Sequence, residues 1–461
     1  MESRLYGSHE QDDKQSHSGV LYSVAGFLVC AVGFVHGATF CLLPACFRAL
    51  EVELGISPIL LAQMQMSLVI FTSVAAPLWA TLIDKGASGK AILIAGASSW
   101  GVCSALLAFA SSVPCMLGLL SLSGLSLATV TPAVQVMVAT STETSMRGRA
   151  FGVYGVANSL GGVVFGLFAT SISNMDFGGI MGWRIVLFIA ALCSLVLAAV
   201  LSLFMPDHRR EWVETSAPIE YWAFSRYFRA PTFSTIILQG CFGSVPWSSM
   251  EFLTIFFQYC GIDDFSSALL RYGVLGLTTS AGYFIGGVVG DKLTAYSRFH
   301  GRPFTAQISV GLSIPLIFIL LHCVPANRSS YGEFCLILAV FGATATWCKY
   351  GVNSPILSEI VPQAHLARIA AWDAAFEGVA SALFGSVVVG FLAEDFFGYV
   401  PERRPMADVP EQIRLTNVHA LASGMLWMTL LPWSVCFVVY STLHFWYQGD
   451  VEAAKRRDWE L

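Results

Sequence analysis

Apolar runs of roughly twenty residues, the length that crosses a bilayer as a helix, recur along nearly the whole of this chain. No other feature restricts the fold so severely. In hydrocarbon, every backbone N–H and C=O must be bonded within its own segment or around a closed barrel. A barrel requires strands of about ten residues that alternate apolar and polar, and the sequence carries no such pattern. Of 461 residues, 55% are hydrophobic and 12% are charged, about half the charged share of soluble domains. The chain therefore reads as an all-α polytopic membrane protein.

The first six runs fall at about 21–46, 58–83, 91–111, 114–140, 150–173 and 183–205. Six more fall at about 232–258, 268–290, 304–324, 332–358, 369–392 and 417–446. Between the sets lies 206–231, basic and interleaved with Trp212, Tyr221, Trp222, Phe224 and Tyr227, a connector suited to the membrane face. The expected organisation is a disordered cytosolic tail at 1–20, a six-helix bundle at 21–205, a cytosolic central loop at 206–231, a second bundle at 232–446 and a cytosolic tail at 447–461. The first run is too long for a signal peptide and lacks a cleavage site, so it is expected to stay in the membrane.

With the N-terminus inside, about 17 Lys and Arg fall on cytosolic segments against about 7 outside, as the positive-inside bias requires. The sequon Asn327-Arg328-Ser329 then lies on an outer loop, as a candidate glycosylation site. The net charge of −5 is thinly spread and implies no nucleic-acid partner. Twelve cysteines, mostly inside apolar runs and never in a C-x-x-C pair, read as small buried side chains. Neither a catalytic constellation nor a metal-ligand spacing is present, and no cofactor is expected.

One punctuation mark occurs twice. Gly282, Gly286 and Gly290 line one face of the eighth run, and Gly287-x-x-x-Asp291-Lys292 passes into a basic loop ending at Gly301-Arg302. After the second run, Ala80-x-x-x-Asp84-Lys85 echoes it, with Gly89-Lys90 following. Twelve spans in two sixes, a basic central loop and this repeated motif together resemble the major facilitator superfamily. A finer resemblance is to its Spinster-like branch of plant and algal type. It is carried by Gly124 to Gln135, Arg147-Gly148, Gly182-Trp183-Arg184, Pro246-Trp247-Ser248, Asn353 to Pro362, Phe376-Glu377 and Gly398-Tyr399. Span 1 departs, with Thr39-Phe40 where the branch has an acidic pair, and Leu120 stands where many proton-coupled members carry Arg.

The resemblance implies twelve helices in two pseudo-symmetric bundles that close the cytosolic side through the two Asp-Lys copies. Asp84 and Lys85 would face the start of span 11 near Arg368. Asp291 and Lys292, with Arg302, would face the start of span 5 near Arg147 and Arg149. Asp373, about one turn from the expected start of span 11, reads as a helix-capping residue in the same gating set.

Ionisable side chains inside spans point to substrate, because their burial is costly. Four qualify: His36 in span 1, Glu251 in span 7, Lys349 in span 10 and Glu377 in span 11. Lys349 and Glu377 are expected at the same depth, where an ion pair lowers the cost of either and a ligand competes for it. Trp247 is expected to line the cavity beside the Pro246 kink. The expected function is secondary transport by alternating access of a small organic or amphiphilic, lipid-like solute, lysolipid or sphingoid or an organic anion, with proton coupling left open. The protein would work as a monomer in a plasma membrane or endomembrane. A non-transporting sensor or receptor on the same scaffold, and passive lipid scrambling, stay open as alternatives.

Overall fold

The structure is a computed structural model and describes residue 24 and residues 26–141, 147–205 and 227–457. The expected N-terminal tail and most of the central loop lie outside the described residues. Among the described residues, eleven helices are long and apolar enough to cross a membrane, and the chain is an integral multi-pass membrane protein. Spans 1 to 6 are Gly26–Ala45, Pro58–Ile83, Gly89–Phe109, Val113–Gln135, Ala150–Ser173 and Gly182–Phe204. Spans 8 to 12 are Asp264–Tyr296, Gly301–Cys323, Arg328–Ile360, Ile369–Phe396 and Glu411–Ser441.

Span 7, expected at 232–258, is present as three consecutive pieces, Pro231–Ser249, a 3-10 turn at Met250–Phe252, and Leu253–Tyr259. Pro246 lies inside the first piece. It has no N–H to give to the preceding turn, and the helix tightens just beyond it.

Within the first six spans, 3 packs on 6 and 2 on 4. In the second six, 7 packs on 11 and 12, 8 on 10, and 9 on 12. Across the halves, span 2 meets span 11 and span 5 meets span 8. Lipid is as apolar as leucine, so small residues and hydrogen bonds hold such seams. The glycine stripe of span 8 is one of them. A Cβ at Gly286 would stand 2.5 Å from Trp347 Cα, and one at Gly290 would stand 2.7 Å from the Gly351 carbonyl oxygen.

Two short helices cap the bundle's ends. Phe47–Leu54 follows span 1 and stops at Gly55, whose φ of 67° suits glycine. It belongs to the end read as external from the charge distribution, called the outer end below. At the opposite end, Leu443–Arg457 is helical where the sequence suggests only a charged tail. Tyr447 and Val451 are buried there. Asp450 Oδ2 accepts a 2.8 Å hydrogen bond from Thr232 N, capping the start of span 7, which has no side-chain cap of its own.

Gly286→Val places branched carbon against the backbone of span 10. It is expected to lower stability by about 1–3 kcal/mol, read as a reduced thermal midpoint in detergent, whereas valine at the uncrowded Gly287 leaves the midpoint nearly unchanged.

Candidate functional site

A cavity of about 210 Å³ opens in the second bundle, and every residue that lines it comes from spans 7 to 12. Trp247, Lys349 and Glu377, three of the residues singled out in the sequence, meet there. Trp247 and Trp433 pack edge to face at 6.2 Å between ring centroids, and Phe341 lies 5.9 Å from Trp247. Trp433 Nε1 donates to the Gly243 carbonyl at 3.2 Å. Tyr283 and Tyr440 complete a wall that is apolar with polar tips.

Glu377 lies against span 7 at a point where a side chain is missing. A Cβ on Gly240 would sit 2.6 Å from Glu377 Oε1, so the glycine makes room for the carboxylate. Ser244 Oγ fixes the same level by donating to the Glu377 carbonyl at 2.9 Å. Lys349 faces Glu377 closely enough for their charges to interact. Among the described residues, however, the ion pairs within 4.0 Å do not include these two. Asp373 stands one turn before Glu377. Its helix begins at Gln363, earlier than the expected 369, so Asp373 lies nearly three turns inside and does not cap the start. Its charge reaches both Glu377 and Lys349, and its buried Oδ1 has no hydrogen-bond partner.

Lys349 opens a π turn, Lys349–Asn353, in span 10. It is one of four π turns among the described residues, and it is the one that borders the cavity at both of its ends, Lys349 and Asn353; such turns add a residue to the helical repeat. Three side chains hold it. Arg302 Nη1 donates to the Gly351 carbonyl at 2.8 Å, Tyr440 OH to Asn353 Oδ1 at 3.0 Å, and Ser354 Oγ to the Lys349 carbonyl at 3.0 Å. Arg302 also reaches Asp291, with Nη2 3.5 Å from Oδ1. The second Asp-Lys copy is thereby tied to the turn that presents Lys349. Asp291 itself is 77% exposed.

The other sequence candidates lie elsewhere. His36 is packed inside the first bundle, where its Nδ1 is 3.0 Å from both Tyr154 OH and Asn158 Nδ2 of span 5. Glu251 occupies the 3-10 turn of span 7, and its Oε1 accepts a 3.4 Å hydrogen bond from Gln65 Nε2 of span 2. Lys85 caps the end of span 2 in an exposed position, and Lys292 is exposed. The side chains of Asp84, Arg147, Arg149 and Arg368 lie outside what is described. Asn327 Oδ1 accepts from Ser329 N and Ser330 N, capping the start of span 10 on an exposed loop.

An extensive buried polar network among the described residues is one the sequence reading does not single out. At the outer end, Arg48 and Glu51 of the first half are 3% and 0% exposed and pair at 2.5 Å. Arg48 Nη1 donates to Tyr259 OH at 3.0 Å and to the Glu402 carbonyl at 2.8 Å, and Nη2 donates to the Arg404 carbonyl at 2.6 Å. Glu51 accepts from Tyr399 OH at 2.6 Å and from Glu402 N at 3.2 Å. Tyr259, Tyr399, Glu402 and Arg404 all belong to the second half. Beside them, hydrogen bonds from the Arg404 guanidinium hold the Glu402 carboxyl down at about 2, so that pair stays charged through mildly acidic pH. A signal was present in the sequence: Arg48 and Glu51 are three apart just beyond an apolar run, on one face of a helix. The partners that bury them come from more than 200 residues away and leave no local trace.

A family model described as Major Facilitator Superfamily matches residues 26–385. No curated protein matches the chain. Among solved structures, a bacterial homologue of the human lysosomal transporter Spinster, inward-facing and unoccupied, is similar at a TM-score of 0.77 and 14% identity, covering 93% of this chain and 98% of that one. The same kind of homologue, inward-facing and occupied, gives 0.75 and 16%, covering 94% and 98%. The nucleoside transporter NupG gives 0.65 and 14%, covering 92% and 98%. At these identities the likeness concerns the fold.

Arg48→Ala strands Glu51 in a buried position, a loss of about 3–5 kcal/mol that falls on the arrangement in which the two halves meet at the outer end. Maleimide labelling of Cys260, which is fully buried next to Tyr259, is expected to rise several-fold, read by peptide mass spectrometry on protein in lipid nanodiscs. Unchanged labelling would show that the network does not hold the outer end shut.

Proposed function

The chain belongs to the major facilitator superfamily, and we propose that it is a secondary transporter that carries a small organic or amphiphilic, lipid-like solute by alternating access. The reading rests on one observation: Lys349 and Glu377, opposite in charge and on neighbouring spans, share a cavity without closing on each other. A charged group inside a membrane-spanning bundle is retained where it serves a pathway, and a pair left apart is one that a ligand's polar end can enter. The aromatic wall supplies an apolar surface beside the charged groups, which suits a molecule with both characters. Lys349 favours an anionic headgroup or organic anion as that polar end.

The halves are closed against each other at the outer end by the Arg48–Glu51 network, which we take as the outward-closed stage of the cycle. Opening outward then requires spans 1 and 7 to part. At the other end, Asp291 and Arg302 act on the cycle and the cavity acts on the choice of solute.

Proteoliposomes loaded with a cellular extract of metabolites and lipids, compared with empty vesicles, identify the solute. With that solute, Lys349→Ala is expected to lower transport at least about tenfold, equivalent to about 1.4 kcal/mol, with the protein still folded. Asp291→Asn is expected to slow turnover while leaving the order of preference among solutes unchanged. Normal transport by Lys349→Ala would overturn the assignment of the cavity.

A further inference from the structure

Glu251 takes no part in the cavity and faces the opposite half of the molecule. Its Oε1 is bonded to Gln65 Nε2. The remaining oxygens of this pair, Glu251 Oε2 and Gln65 Oε1, are both buried and both without a hydrogen-bond partner. Gln65 is only 2% exposed. Buried polar atoms are nearly always satisfied, so two orphans in one carboxylate–amide pair call for an explanation.

One proton satisfies both. An ionised carboxylate and an amide oxygen only accept, so they cannot bond each other. With hydrogen on Oε2, the carboxylic acid becomes a donor toward the one acceptor that Gln65 still offers. The pair then closes as a two-bond ring, amide N–H to Oε1 and acid O–H to the amide oxygen. We propose that Glu251 is a proton-binding residue whose protonated form is bonded to Gln65 across the two halves, and whose proton is released to water as the halves part.

The surrounding groups give the ionised form somewhere to go. Arg271, on span 8 of Glu251's own half, is near enough to act on its charge. From span 1 comes Cys41, whose carbonyl accepts from Tyr272 OH of span 8 at 3.5 Å. From span 11 comes the Ser386 hydroxyl, near enough to donate to the ionised carboxylate though outside hydrogen-bond geometry with Oε2 here. The Gln65 oxygen is left with no donor but the acid. Protonated, Glu251 has its complementary partner in the first half. Ionised, it has its complementary partner in the second. A single O–H bond, formed or broken, thus biases which arrangement of the halves is favoured. This coupling rests on the transport reading above; the protonation itself does not.

The test uses the full chain in lipid nanodiscs and needs no solute. Infrared difference spectra between mildly acidic and alkaline buffer should show a protonated-carboxyl band that is missing in Glu251→Gln and shifted in Gln65→Leu, which removes the acid's acceptor. Glu251→Gln keeps both bonds as an amide–amide pair and is expected to fold. Cys260 labelling, taken as the ratio of wild type to Glu251→Gln to cancel the thiol's own titration, should rise several-fold toward alkaline pH. A band untouched by Glu251→Gln overturns the proposal, and so does a band abolished by sodium chloride at fixed pH, which would make the site one for a metal cation. A flat labelling ratio overturns the coupling. If the band behaves as expected and vesicles of wild-type protein move no solute, the transport reading fails and the proton site stands.

Discussion

The joining of the two halves at the outer end depends on a salt bridge that water does not reach. Removing Arg48 and Glu51 from solvent costs several kcal/mol per ion, and the geometry offsets it by giving each charge several partners. Arg48 gives hydrogen bonds to one carboxylate, one phenol and two main-chain carbonyls, and Glu51 accepts from two phenols and a main-chain N–H as well. Most of those partners belong to the other half. The burial is therefore conditional: parting the halves strips the pair of its partners and returns it to water in the same motion. A contact of that kind is stable when made and leaves no stranded charge when fully broken, as a bistable element requires.

Two of the departures from helical regularity carry ionisable side chains singled out in the sequence. In a membrane, irregular backbone is tolerated where it is buried in protein or lines a cavity. The 3-10 turn of span 7 carries Glu251, and the π turn of span 10 carries Lys349. At the second site Arg302 takes the Gly351 carbonyl, at a close approach of spans 8 and 10, where a Cβ on Gly351 would fall 2.5 Å from the Gly286 oxygen. The glycines bring the helices together, and their nearness brings Arg302 within reach of the turn.

How much of this could be read from the chain follows from the range of each cause. The spans were legible because the bilayer acts on every local window in the same way. Span 7 was legible as an apolar run but not as three pieces, because Pro246 marks a disturbance without specifying how the helix recovers. Trp247 was singled out because it follows Pro246, and Lys349 and Glu377 together because ionisable residues stand out against an apolar background; all three line the cavity. His36 met the same criterion and lies elsewhere, its polarity answered by Tyr154 and Asn158 of the neighbouring span. Asp373 was misjudged because its role depended on a helix start that begins in polar sequence, at Gln363. The outer network left only the i, i+3 spacing of Arg48 and Glu51 as a local trace, because Tyr259 and Tyr399, which fold over them, lie more than 200 residues away.

The two halves are consequently unequal. All the residues lining the cavity come from the second bundle, and the first supplies Arg48, Glu51 and Gln65, which act on the second from outside the cavity. In the proposed cycle, a solute entering between Lys349 and Glu377 would touch the second half alone, so its own contacts would not pull the halves together. Any coupling between occupancy and closure must pass through elements shared by cavity and seam. Span 7 is such an element: Gly240 accommodates Glu377 in the cavity, the 3-10 turn places Glu251 against Gln65, and Tyr259 closes on Arg48 at its outer end. The break beyond Pro246 lets those three levels of one helix answer to different partners.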